Sequence, residues 1–483
     1  MSEGTHLTVL QLNDSHGYLE PHNEVFWKGG RTITREVGGF ARIAGLFNRI
    51  QVEHPNAVLT LDNGDTIHGT YPVVSSQGRA MIPILNAMAF DAMTPHWEFA
   101  YGPAEFQALS HQLDYPVLAI NCFSKDTKTL IFSPGTIIER NGLQIGVIGI
   151  ASNIIDKTMP ASYSEGVYFT LGKNELPDFI THLREKERVD LVIVLSHLGY
   201  PQDLKLASEV DGIDVLLSGH THNRLYNPVV VNRAIIIQSG CHGSFVGRLD
   251  LKIANQCVKT YRHRLIPIDE SINPNAAIQD MVDRTLTQAQ RSMLSEVVGK
   301  TRNTLARWRT LESTMDNLLL QAALDASGAE IAISNGWRYG APVAPGEVTM
   351  NDLWNIIPTN PVLSICDMTG AELWQMMEDN LESTFSRDPY RQMGGYVKRL
   401  LGVHIYFKLE NPYRKRIHEF FVNGHILDSA KTYSVCGISS QAVPSHFGSN
   451  RRDLRIDAIE SLQQYFKVNS PVQAALKGTI VPI

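Results

Sequence analysis

Aspartate and histidine grip divalent cations through hard oxygen and borderline nitrogen atoms. In this sequence they recur in short clusters placed directly after apolar runs. Asp14-Ser15-His16 follows LTVLQLN, and alternate residues of an extended segment project to one side, so a carboxylate and an imidazole there can reach the same ion. Asn63-Gly64-Asp65 follows AVLTLD, where Gly64 lets the chain turn and aim Asp65 into a crevice. Ser196-His197 follows LVIVL, and Ser218-Gly219-His220-Thr221-His222 follows IDVLL. His96 lies in Pro95-His96-Trp97-Glu98-Phe99-Ala100-Tyr101-Gly102. Taken singly, Asp-Ser-His reads as a turn cap beside a surface imidazole, Asn-Gly-Asp as a turn, and His96 as a ring packed among aromatics. Counted together, these clusters point to metal ligation. Imidazoles and carboxylates without thiolates suit manganese, zinc or iron rather than calcium or copper(I). Trp97 and Phe99 read as wall or core residues, since an indole has no proton to exchange usefully.

The elements that carry these clusters repeat one pattern from residue 6 to about 265: a short β-branched run ending in polar residues, then an amphipathic helical stretch. This is α/β layering, in which side chains from distant segments meet outside the carboxyl ends of the strands. Residues 1–268 are therefore expected to form one domain. Residues 269–300 hold an Asn-Pro turn and a helix-compatible stretch, read as a connecting helix. From 301 to 483 the pattern changes to a second, α+β domain, in which MTGAELWQMME has the spacing of a helix packed on a core.

Composition narrows the class further. Hydrophobic residues make up 43% and charged residues 19%, which excludes a disordered or collagen-like chain. Lys plus Arg is 43 against 49 Asp plus Glu, a net charge of −6 without a run of like charges. That gives no electrostatic reason to expect a nucleic-acid polymer or an anionic membrane as partner. The cysteines at 122, 241, 257, 366 and 436 form an odd set without a CxxC pair, which fits reduced thiols. No basic-then-apolar leader precedes LTVLQL, so the expected location is the cytoplasm. The apolar runs are far shorter than the about 20 residues of a membrane helix.

In order, LNDSHG, DNGDTIHG, HWEFAYG, LSHLG and SGHTH resemble the 5′-nucleotidase family of calcineurin-like metallophosphoesterases. SNGWRYG and DPYRQMGGY extend the resemblance to the family's substrate-binding C-terminal domain. The resemblance implies an N-terminal β-sandwich flanked by helices and two divalent ions. Asp14, His16 and His222 would hold one ion, His197 and His220 the other, with His96 completing the second site and Asp65 bridging both. It also implies attack on phosphorus or sulfur by a water or hydroxide held between the ions, with Asp65 and His96 as the catalytic side chains. In the second domain it points to Asn335 and Arg338 for binding substrate, since an arginine fork suits phosphate or carboxylate. Tyr396, after Gly394-Gly395, and Trp337 are candidates for stacking on a base.

One position departs from the family. Its usual Gly-Asn-His-Glu motif uses Asn as a ligand and His as an acid or charge stabiliser, whereas this chain carries His96 and Trp97 there. His-Trp-Glu-Phe, together with DLKLAS at 203–208, is similar to the Sox thiosulfohydrolase branch, which cleaves a sulfonate from a carrier protein using two manganese ions. Trp97 then lines the substrate pocket. Three expectations follow: a phosphoesterase acting on nucleotides or related small phosphates, a thiosulfohydrolase-like enzyme acting on a sulfur ester with a carrier protein as partner, or a catalytically silent relative that binds a ligand. Retention of all the ligand side chains argues against the third.

Overall fold

The computed structural model describes residues 4–483, which divide into two compact units. The first comprises the segment ending at His22 and Glu36–Leu286; the second comprises Asn23–Arg35 and Thr287–Ile483.

Two facing sheets build the first unit. One runs in the order Cys257–Pro267, Phe245–Ala254, Thr5–Leu12, Val58–Asp62, Ala92–Met93. The other runs Val229–Val231, Ala234–Ile237, Val215–Ser218, Leu191–Ser196, Leu143–Ile150, Gly135–Arg140. The strands that end in ligand clusters pair in parallel with their neighbours, Thr5–Leu12 with Val58–Asp62 and Leu191–Ser196 with Val215–Ser218. Strands such as LVIVLS are apolar on both faces because both faces are covered. Leu191, Ile193 and Leu195 meet Leu7, Val9, Leu59 and Leu61 between the sheets. Val192 and Val194 pack outward on Leu183 and Leu206 of the helices Leu176–Glu185 and Tyr200–Glu209. Each such side chain contributes about 1.5–3 kcal/mol by leaving water. The outer face of the first sheet is covered in the same way by Ile43, Leu85 and Ile278 from Phe40–Glu53, Ile82–Met88 and Ala276–Arg284. The result is the expected β-sandwich flanked by helices.

The second unit is α+β. Its five-stranded sheet runs Tyr396–Leu401, Ile331–Gly336, Thr432–Gly437, Val362–Thr369, Ser449–Asp457. Helix Gly370–Phe385 starts with a reciprocal capping pair, Thr369 and Glu372, and buries Leu373, Met376, Met377 and Leu381, the packing its spacing predicts. Residues 269–300 do not form one connecting helix. They form two, Ala276–Arg284 and Gln288–Leu294, because Thr287 caps the second through Gln290 and so starts a new helix there. A hairpin of His22–Lys28 and Arg31–Val37 turns at Gly29 and Gly30, both with positive φ, and its Trp27 meets Trp308 edge-on at 5.4 Å within the second unit.

A buried charge triad braces this unit. Asp316 accepts from Arg307 Nε at 2.9 Å and pairs with Arg399 Nε at 3.0 Å, with all three side chains nearly or wholly out of solvent. Removing the carboxylate strands two buried guanidinium groups, so Asp316→Ala is expected to cost about 3–5 kcal/mol. Thermal denaturation checks this, and an unchanged midpoint would contradict it.

Candidate metal centre

All seven ligand candidates lie at or just beyond the carboxyl ends of strands in the first unit, and the fold gathers them into two adjoining groups. Asp65, His96, His197 and His220 form one, Asp14, His16, Asp65 and His222 the other, with the ligand atoms of each group within 4.8 Å of one another. Asp65 belongs to both. Its Oδ1 lies 2.9 Å from His96 Nδ1, and its Oδ2 lies 3.3 Å from His197 Nε2 and 3.7 Å from His16 Nε2. Across the site, His222 Nε2 is 3.2 Å from both Asp14 Oδ1 and His16 Nε2.

The backbone is bent to achieve this. Five of the seven residues, Asp14, His16, Asp65, His220 and His222, have φ between 48° and 71°, a region non-glycine residues rarely occupy. At Gly64 a side chain is impossible, because a Cβ would sit 2.1 Å from the Thr94 carbonyl oxygen. Buried amides tie the strand ends of the two sheets together. Asn63 Nδ2 donates to the carbonyls of Ser196 and Leu217, and Gln11 Nε2 donates to Asn63 Oδ1 and to the Ser218 carbonyl. His197 donates from Nδ1 to the Asn63 carbonyl, which fixes its tautomer and leaves Nε2 facing the carboxylates.

Glu98 is a residue the sequence reading did not assign. Its buried carboxylate accepts amides from Thr66 at 2.7 Å, Ile67 at 3.1 Å and His96 at 2.7 Å, joining the Asp65 turn to the His96 turn. Asp62 braces the same turn by accepting from the Gly64 amide and the Thr66 hydroxyl, and burial pushes its carboxyl up to about 7. Their signal in the sequence is proximity alone, two residues after His96 and three before Asp65.

Chemically, the donor set fits divalent cations. It offers imidazole nitrogens and carboxylate oxygens only, and His96 Nε2 is buried with no hydrogen-bond partner. Without a bound ion the groups divide protons among themselves. Burial opposes charge on His197, but the Asp65 and Asp14 carboxylates outweigh it and push the imidazole up to about 10. Burial holds His16 well below the ordinary imidazole range. Asp65 is held well below the carboxylate range: burial works against its charge, and His96 and His197 more than offset it.

Trp97 is 8% exposed and donates its backbone amide to Asp65 Oδ1 at 2.8 Å. Its indole stacks on His68 at 4.7 Å and meets Tyr163 edge-on at 6.1 Å. Burial lowers His68 to about 4, so a neutral ring backs the indole. In the second unit, Asn335 lies on Ile331–Gly336 and Arg338 just beyond it. Arg338 Nη2 donates to the Gly395 carbonyl at 3.0 Å, and its guanidinium lies 5.1 Å from the centre of the Tyr396 ring. Arg399 lies over the same ring at 5.4 Å, while Trp337, the other stacking candidate, is buried beside Tyr339.

Two family models match the chain, a calcineurin-like phosphoesterase over residues 7–224 and a 5′-nucleotidase C-terminal domain over residues 296–442. The trifunctional nucleotide phosphoesterase protein YfkN of Bacillus subtilis is 26% identical over 86% of this chain, which spans only 30% of that longer protein. Among solved structures, the sulfate thiohydrolase SoxB of Thermus thermophilus superposes with a TM-score of 0.90 at 23% identity, covering 99% of this chain and 96% of that one. A 5′-nucleotidase precursor, also from Thermus thermophilus, gives 0.87 at 23% identity, with 99% of each chain covered. At that identity the two structures establish a shared fold.

Protons held by the imidazoles compete with cations for the same nitrogens. His197, protonated below about 10, must release its proton to ligate, so affinity for manganese is expected to rise with pH between about pH 6 and 9, about tenfold per unit for each proton displaced. Calorimetric titration at several pH values measures this; an affinity independent of pH would contradict it.

Proposed function

This chain belongs to the calcineurin-like phosphoesterases that carry a 5′-nucleotidase C-terminal domain, and on that premise we propose that it is a dinuclear-metal hydrolase of nucleotides or related small phosphate esters. The observation that carries the proposal is the shared carboxylate of Asp65, common to two groups of buried nitrogen and oxygen ligands. Two divalent ions held there, manganese, zinc or iron, would supply an activated water and neutralise charge growing on the oxygens of the reacting group. Asp14, His16 and His222 would hold one ion, His96, His197 and His220 the other, with Asp65 between.

The chain's own residues do the rest. The Trp97 amide and His96 fix the Asp65 carboxylate in orientation. The indole and Tyr163 form an aromatic wall: the indole carries no exchangeable acid, burial pushes the Tyr163 phenol up so that it holds its proton, and His68 stands behind the indole, 1% exposed. Leaving groups therefore depart without a proton from an imidazole at this position. Missing acid catalysis costs about 10²–10⁴-fold for basic leaving groups and little for acidic ones. The preferred substrates are phosphate esters or anhydrides with low-pKa leaving groups. Arg338 and Asn335 are proposed to bind the substrate's anionic group. Tyr396 is proposed to stack on its base.

The same wall supports a second reading, cleavage of a sulfur ester on a carrier protein, because a thiolate-like leaving group needs no proton. Trp97 in place of the family's imidazole is what favours it. Under either reading no nucleic-acid polymer is a substrate, and among the described residues no helix is long and apolar enough to cross a membrane.

Phosphate release by manganese-loaded protein from nucleoside monophosphates, diphosphates and cyclic nucleotides tests the proposal, with Asp65→Asn as the control that should lose all turnover. Silence across that panel from protein with two ions bound would transfer the assignment to the sulfur ester, to be read as sulfate release from a thiosulfonate. Trp97→His should raise turnover of nucleoside monophosphates by about tenfold or more while changing p-nitrophenyl phosphate little. Equal effects on both substrates would refute the role given to the indole.

A further inference from the structure

Asp203 lies in the first turn of helix Tyr200–Glu209 and is wholly buried, yet it is no ligand candidate. Its two oxygens are used on two different strands. Oδ1 accepts the Ser196 hydroxyl at 2.6 Å, and Oδ2 accepts the Ser218 hydroxyl at 2.6 Å. Those serines are the last residues of their strands and are register partners in the parallel pair. Ser196 immediately precedes His197, and Ser218 stands two residues before His220. The clamp continues on both sides: Ser196 Oγ accepts the Leu198 amide at 3.2 Å, which closes the chain around His197. Ser218 Oγ accepts Gln238 Nε2 at 3.1 Å. Burying a carboxylate is costly unless its oxygens are satisfied, and here both are spent on holding two strand ends at a fixed separation.

We propose that Asp203 is a positioning residue that sets the affinity of the ion held by Asp65, His96, His197 and His220, and acts less on the ion held by Asp14, His16, Asp65 and His222. Both ligands that the clamp positions, His197 and His220, belong to the first group alone. His222 stands further from the clamp, which reaches it only at second hand, through Ser218 Oγ and Gln238. Gln238 Oε1 accepts the Asn223 amide at 2.6 Å and the Thr221 hydroxyl at 3.0 Å, and neither bond involves Asp203. This inference rests on the two-ion reading above and adds an asymmetry between the sites.

Manganese titrated into metal-free protein, followed by calorimetry and by electron paramagnetic resonance, tests it independently of any substrate. Wild-type protein is expected to bind two ions and show a spin-coupled pair. In Asp203→Ala one of the two ions should bind about 10–100-fold more weakly, the usual cost of losing a group that orients a ligand. At one equivalent the variant should then show the signal of an isolated ion. Asp203→Asn, which keeps an acceptor in place, should recover part of the loss. Ser218→Ala deletes one arm of the clamp and serves if the Asp203 variants do not fold; it should weaken the same ion. Two ions in the wild type with unchanged affinities in folded variants, or equal weakening of both, would overturn the role of Asp203. A wild-type protein that binds only one ion would overturn the two-ion reading, and the asymmetry with it.

Discussion

Two carboxylates and five imidazoles, their side chains all at most a tenth exposed, converge on a space a few ångströms across. Their lone pairs face one another, and in a poorly solvated interior such an arrangement is tolerable only when protons or cations occupy it. The upward push on His197 and the downward push on His16 are two sides of that constraint, since neighbouring carboxylates reward charge on one ring while burial denies it to the other. Everything else about the first unit can be understood as the means of forcing these groups together.

The means are mostly backbone. Parallel strands in two facing sheets end at one edge, and the turns after them are bent through positive φ to aim side chains inward. Such bends are unfavourable locally and persist because buried bonds over-determine them. Asn63 and Gln11 span the sheets, Glu98 fastens two turns, and Asp203 fastens two strand ends. None of these amides and carboxylates belongs to the two ligand groups. On the proposed reading, they hold the ligand side chains in place for the ions. Trp97 sits on the same scaffold, anchored by its amide to Asp65, so a change of chemistry at this position leaves the ligand geometry intact.

Much of this was legible in the sequence, for a physical reason. Apolar β-branched runs ending in Asp or His reveal both the strand and the end of it that faces the ligand, so the strands and the ligand candidates could be read together, whereas the sandwich was implied only by the family resemblance. The orienting residues were not legible in that way. Glu98 and Asp203 are single acids whose meaning lies in which amides and hydroxyls they meet, and contacts such as Ser218 to Asp203 are made between segments. The hairpin strands His22–Lys28 and Arg31–Val37 were not read from the sequence; Asn23–Arg35 belongs to the second unit, where Trp27 meets Trp308. The break between Ala276–Arg284 and Gln288–Leu294 hinges on one reciprocal cap at Thr287, a local bond that outweighs a continuous helical spacing.

The account stands on two cations sharing Asp65. Anomalous diffraction at the manganese edge, from crystals grown with that ion, tests it most directly. Two peaks roughly 3.5–4 Å apart, one within reach of His96, His197 and His220 and the other of Asp14, His16 and His222, are the predicted result. A single peak, or a pair that leaves Asp65 without a metal contact, would contradict it.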